Sequence, residues 1–355
     1  MARHSRRRFL QGGVSAAGAL VAGNLLGSPA GALGSRSLLT PGRRAVASGD
    51  LTSIAFQTSW IPSVEFGGSY LAAERGYWTE EGLDVELLPG GPNSAVEPIV
   101  DAGTALVGIT SADYVARANI EGASFKVVAA GFQKNPFAVL SLADNPVNSP
   151  EELYGKRLGV PAADEAVYAA MVDVNSLDEG QITKVPVGFD IAPLTSGEID
   201  ALFVFYTEQP VALELAGFEG VTFLLADFGL DVLSHAYFVT DESLADRPDQ
   251  VVGFLRGEIR GWQDFVANPS DAVAPTVEVY AADVGHNAEA QALQAQSQLD
   301  LIVSPTTDEH GLLYMSTEDI DKNLVTFETL GIAGIDASIF TTEILDEIYD
   351  GGSSV

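Results

Sequence analysis

The stretch LTSIAFQTSWIPSVEFGGSYLAAERGYWTEEGLDVELL, Leu51 to Leu88, sets two short apolar runs, SIAFQT and LDVELL, on either side of a helical pattern through SYLAAERGY. Strand, helix and strand at this spacing form a crossover unit, and such units build a largely parallel sheet. The connection WIPSVEFGGSY (Trp60–Tyr70) is longer and more aromatic than a turn and a cap require. It lies beyond the carboxyl end of a strand, where open α/β sheets bind ligands, so it is expected to wall a cleft.

The rhythm continues through NSAVEPIVDAG, ALVGIT, ADYVARANIEG and FKVVAAGF. It resumes at KRLGVPA, DEAVYAAMVDVN, TKVPVGF, DALFVFY, EQPVALELAG and VTFLLAD. Two copies of one α/β architecture suit a chain of 355 residues, which exceeds a single core. A crossing near Val139 and a return near Phe238 divide the body into lobe 1 (50–139 and 238–355) and lobe 2 (140–237). The runs FAVLSLAD and SHAYFVTD are then the strands of a double hinge. The remainder is helical, and PDQVVGFLRGEIRGWQDFVAN places Val251, Phe254, Leu255, Ile259, Trp262 and Phe265 on one helical face.

The first residues, MARHSRRRFLQGGVSAAGALVAGNLLGSPAGALG, have a basic start, a moderately apolar run and an A-x-A site at Ala30–Ala32. This is an export signal over 1–32, followed by a polar linker over 33–49, and SRRRFLQ resembles the twin-arginine motif. A retained membrane anchor is the alternative, though the run is weakly apolar for a spanning helix. Export leads to a periplasmic or extracellular location. Seven of the 18 basic residues precede Ser48 and no acidic residue does, so the rest of the chain carries 11 basic against 49 acidic residues. Such a surface repels nucleic acid and suits a saline exterior. There is no cysteine, which excludes disulfides, thiolate metal sites and cysteine nucleophiles. No H-E-x-x-H, G-x-S-x-G or P-loop spacing occurs.

Trp60-x-Pro62, Gly68-x-Tyr70, Gly76-Tyr77, Glu81-Gly82-Leu83-Asp84-Val85 and Gly103-x-Ala105, with FKVVAAGFQKNP and SPEELYGKRLGVP, carry a family resemblance. The chain resembles the substrate-binding proteins of ABC importers that carry sulfonates, nitrate or thiamine-pyrimidine precursors. The resemblance implies a type II periplasmic-binding-protein fold, two lobes closing on a small molecule, no cofactor, no metal, and a monomer that docks on a permease and its ATPase. In the pyrimidine-precursor branch a histidine follows Trp-x-Pro by four residues; here that position is Phe66. FGGSY looks closer to a related branch thought to carry riboflavin or other flat heterocycles. A fungal pyrimidine synthase resembles these proteins too, but it needs a cysteine-rich motif, so an enzyme is not expected.

Candidate ligand contacts follow from the strand-end rule. Trp60, Glu65, Phe66 and Tyr70 succeed the first strand, where aromatic faces stack on flat rings. Ser111 and Asp113 begin a helix after ALVGI, where Ser111 also serves as a cap and an anion would meet the Asp113 charge. Gln133 and Asn135 offer amides beside the crossing. Asp164 and Glu165 open a helix of lobe 2, and Tyr206 and Glu208 follow ALFVF. Carboxylates in these places suit an N–H-rich heterocycle better than a sulfonate or nitrate. The function expected is therefore capture of a flat heterocycle, with a flavin or an anion as the alternatives. His235, at the return crossing, reads as structural.

Overall fold

The computed structural model describes residues 51–92 and 94–350; the expected signal and linker lie outside them. Strands β1 (Thr52–Gln57), β2 (Leu83–Leu88), β3 (Val107–Thr110) and β4 (Phe125–Phe132) share a first sheet with the last strand of the chain. Strands β5 (Phe137–Leu142), β6 (Arg157–Pro161), β7 (Thr183–Val187), β8 (Ala201–Phe205) and β9 (Gly220–Leu224) make a second. The last strand is β10 (Ser234–Thr240). The orders are β2-β1-β3-β10-β4 and β7-β6-β8-β5-β9.

SIAFQT and LDVELL pair in parallel, with Ile54 opposite Val85 and Phe56 opposite Leu87. In each sheet one strand runs against its neighbours: β10 between β3 and β4, and β5 between β8 and β9. These are the first strands laid down after the chain passes from one sheet to the other. Each is paired within a single sheet, and the passages themselves are 133–136 and 225–233. Because β5 and β10 are reversed, their amino ends share the rim with the carboxyl ends of the parallel strands.

Helices α1 (Gly67–Glu74), α2 (Ala112–Ile120), α3 (Glu165–Val174), α4 (Gln209–Leu215), α5 (Pro248–Ala267), α6 (Ala288–Ser297) and α7 (Thr317–Thr329) cover the sheets. The apolar face read in α5 is buried in full, from Val251 to Phe265. Each large side chain so buried stabilises the fold by about 1.5–3 kcal/mol. NSPEEL, a helix start by its residues, closes after one 3-10 turn, Pro150–Leu153, and Ser149 makes no side-chain cap bond.

Two glycines let α1 and α5 cross closely. A Cβ on Gly68 would stand 2.1 Å from Trp262 Cδ2, and one on Gly261 would stand 2.1 Å from the Gly68 carbonyl oxygen. Under this crossing Glu258, wholly buried, accepts hydrogen bonds from Tyr237 Oη (2.7 Å), Trp262 Nε1 (3.0 Å) and Ser69 Oγ (2.5 Å). Burial pushes its carboxyl up to about 7.

Candidate functional site

The rims of the two sheets enclose a cavity of about 370 Å³. Every strand-end loop named above contributes to it. From the first sheet come Ser59, Trp60 and Glu65 after β1, Gly91, Pro92 and Ser94 to Glu97 after β2, Thr110, Ser111 and Tyr114 after β3, and Ser234 and His235 at the start of β10. From the second come Pro136 and Phe137 at β5, Ala163 and Asp164 after β6, Phe189 after β7, and Phe205 and Glu208 after β8.

The loop between β1 and α1 is held from behind by glutamines of the C-terminal helices. Gln291 Oε1 accepts from the Val64 amide at 2.7 Å, and Gln298 Nε2 donates to the Val64 carbonyl at 2.9 Å. In front, the Gly90 amide donates to the Trp60 carbonyl at 3.1 Å. A Cβ on Gly90 would stand 2.4 Å from the Thr58 oxygen, so glycine permits this approach. Trp60 thus reaches the cavity from a fixed loop and meets Phe189 of the other sheet edge-on, ring centroids 6.1 Å apart.

Glu65 and His235 form a buried pair, His235 Nε2 lying 2.8 Å from Glu65 Oε1. The imidazole is layered between Phe132, at 3.7 Å, and Phe66, at 5.5 Å. His235 holds φ +48°, a left-handed conformation costing about 1–3 kcal/mol in a residue with a Cβ. It was read as structural, and it both packs and lines the cavity.

Among the described residues four carboxylates line the space: Glu65, Glu97, Asp164 and Glu208. No lysine or arginine among the described residues lines it, and Lys134, beside the first passage, pairs with Asp227 at 3.3 Å. Desolvation raises the Asp164 carboxyl to about 7. It raises Glu208 to about 7 as well, with further upward pushes from the charges of Glu65 and Asp164. Glu97 is raised by burial, against a hydrogen bond from Thr110.

Of the expected contacts, Trp60, Glu65, Ser111, Asp164 and Glu208 meet at the cavity. Phe66, Tyr70, Asp113, Gln133, Asn135, Glu165 and Tyr206 lie outside its wall. Phe66 is a core residue against His235, and Tyr70 stacks on Tyr280 at 4.3 Å. Gln133 donates to the carbonyls of Ala130 (3.0 Å) and Tyr314 (3.2 Å), and Asn135 accepts from the Phe137 amide at 2.9 Å; both amides serve the backbone at the first passage. Glu165 is exposed and bonds Lys184 at 2.8 Å. Tyr206 donates to Asp300 at 2.9 Å. Asp113 sits in the first turn of α2, its carboxyl raised by burial and steadied by Ser111 and Arg117. Tyr114, Phe137, Phe189, Phe205, Glu97 and the loop after β2 went unread. The Pro-Gly-Gly-Pro run and Phe189 both follow strands, so the strand-end rule reaches them too.

Two twisted sheets with one reversed strand each, joined by two passages and enclosing a cavity at their facing rims, define the type II periplasmic-binding-protein fold. The chain belongs to the NMT1/THI5-like family, whose family model matches residues 63–272. It is 28% identical over 228 residues to the riboflavin-binding protein RibY of Chloroflexus aurantiacus, covering 62% of this chain and 65% of the relative, a little under two-thirds of its length. It is 26% identical over 230 residues to the formylaminopyrimidine-binding protein of Halalkalibacterium halodurans, covering 63% and 69%. It is also 27% identical over 231 residues to the 4-amino-5-hydroxymethyl-2-methylpyrimidine phosphate synthase of Schizosaccharomyces pombe, covering 61% and 66%. Among solved structures, the periplasmic aliphatic sulphonate-binding protein SsuA of Escherichia coli superposes with TM-score 0.59 at 13% identity, over 80% of this chain and 94% of that one. Among the described residues no helix is long and apolar enough to cross a membrane.

Proposed function

We propose that this protein is an extracytoplasmic solute-binding protein that closes two lobes, divided at the passages 133–136 and 225–233 and not within β5 and β10, on a small flat heterocycle. The observation carrying this reading is the cavity wall: Trp60, Tyr114, Phe137, Phe189 and Phe205 supply ring faces and edges, and acidic side chains supply the polar contacts. Aromatic walls gain about 0.5–1.5 kcal/mol per stacked ring beyond burial. At about 370 Å³ the space stands near the small end of ligand sites, which run from about 300 to 1,000 Å³, and suits a one- or two-ring compound. A relative named for formylaminopyrimidine and one named for riboflavin both fit this class, so a flavin is the second reading. Among the described residues a sulfonate or nitrate would meet four carboxylates and no cation.

The ligand bridges the lobes and stabilises the closed form by its differential affinity. That form docks as a monomer on an ABC permease with its ATPase, after export by the twin-arginine-type signal. The chain acts by binding, not by turnover. The test is a thermal-shift screen of the purified protein at high salt against aminopyrimidines, riboflavin, thiamine, taurine and nitrate. A shift with a flat heterocycle supports the reading; a shift with taurine or nitrate alone overturns it.

A further inference from the structure

Asp164 is 8% exposed and precedes α3 at the position where a side chain ordinarily caps the helix, yet it makes no cap bond. Among the described residues it accepts no hydrogen bond and joins no ion pair, and the space it borders is the cavity. Glu208, at the start of α4, likewise leaves its helix uncapped and takes one long hydrogen bond, from Gln209 Nε2 at 3.3 Å. From the opposite wall comes Glu65, with one oxygen held by His235. Carboxylates from both sheets therefore converge on one aromatic-walled space with no countercharge among the described residues. A buried, unpaired carboxylate is costly, and folding retains such a group only where something else compensates it. A neutral ring could donate N–H hydrogen bonds to these carboxylates but would leave their charges unmatched. An anion would raise the cost.

We propose that the ligand of this cavity is a cation: a flat ring bearing a protonated amine or amidine group, held by Asp164 and Glu208 from one wall and by Glu65 from the other. The proposal rests on the heterocycle reading above and adds the charge. The aromatic faces of Trp60 and Phe205 favour such a ring further, since cations are attracted to π-faces.

Calorimetry of the full chain at pH 8 with a matched pair of probes tests it. 4-Amino-5-aminomethyl-2-methylpyrimidine and its 5-hydroxymethyl counterpart share ring and shape and differ by one positive charge. The aminomethyl compound should bind about tenfold tighter or better, as a charge-assisted hydrogen bond does over a neutral one. In Asp164→Asn the ratio of the two affinities should fall by about threefold or more, read within the variant so that any loss common to both probes cancels. Glu208→Gln should reduce the preference in the same direction, which keeps the test open if the first variant fails to fold. Equal affinities in the wild type, or a preference untouched by both variants, overturn the cationic ligand and leave the heterocycle reading standing. Silence from both pyrimidines and from riboflavin removes that reading, and this inference with it.

Discussion

Trp60 joins the two sheets' rims through its edge contact with Phe189, and it lines the cavity. Trp60→Ala should weaken ligand binding by about tenfold or more, since lost burial and stacking together are worth about 1.5–3 kcal/mol; titration calorimetry reads it. Asp164 and Glu208 are predicted to set the pH dependence of the empty protein. Asp164 is faced by Glu208 and Tyr114, and across the cavity by Glu65, Glu97 and His235. Both carboxyls are raised from about 4 to about 7, so between those values the native state binds more protons than the unfolded one. Stability should fall as pH rises through that window, and Glu258, raised likewise, should add to the fall. Melting curves from pH 4 to 8 will show it, and Asp164→Asn should flatten the slope and melt higher at pH 8. A steeper slope in the variant would contradict this assignment.

Helix α1 and its approach loop show how far residue patterns reach. Glu65 and Trp60 were legible because they follow β1, and a strand end in an open sheet faces the ligand side. Gly67, Gly68 and Tyr70 read the same way in the sequence, but the glycines serve a helix crossing and Tyr70 packs on Tyr280. Their partners, Trp262 and Phe265 of α5 and Tyr280, lie about two hundred residues away, and no local pattern encodes that contact. Gly68→Ala should therefore cost about 1–3 kcal/mol of stability by overpacking against Trp262, read by denaturant unfolding, while leaving ligand affinity in the folded protein near wild type. A neutral Gly68→Ala would mean the crossing is loose. The amides Gln133 and Asn135 lie off the cavity wall for a different reason: their side chains bond backbone groups near the first passage.

The whole molecule was the most legible scale. Alternation of buried strands with helices implied two α/β copies, and the two sheets follow that alternation strand by strand. The reversal of β5 and β10 was not legible, because a strand buried on both faces reads alike in either direction. That reversal brings Phe137, Ser234 and His235 to the rim, and it accounts for these three, which forward reading of strand ends does not reach. If the two sheets move as lobes about 133–136 and 225–233, a saturating ligand should reduce the radius of gyration in solution scattering. An unchanged radius would argue for a preformed, rigid site.

The most direct test uses the tryptophans. Of the three, Trp78 and Trp262 are core residues, 2% and 1% exposed, and Trp60 alone lines the cavity. Titrating a flat amino-heterocycle into the wild-type protein and into Trp60→Phe, with emission excited in the indole band, isolates that one ring. Binding between the two sheets predicts saturable quenching in the wild type and its near-complete loss in Trp60→Phe, with the variant still binding by calorimetry. The same quenching in both proteins, or none from any flat heterocycle, would contradict it.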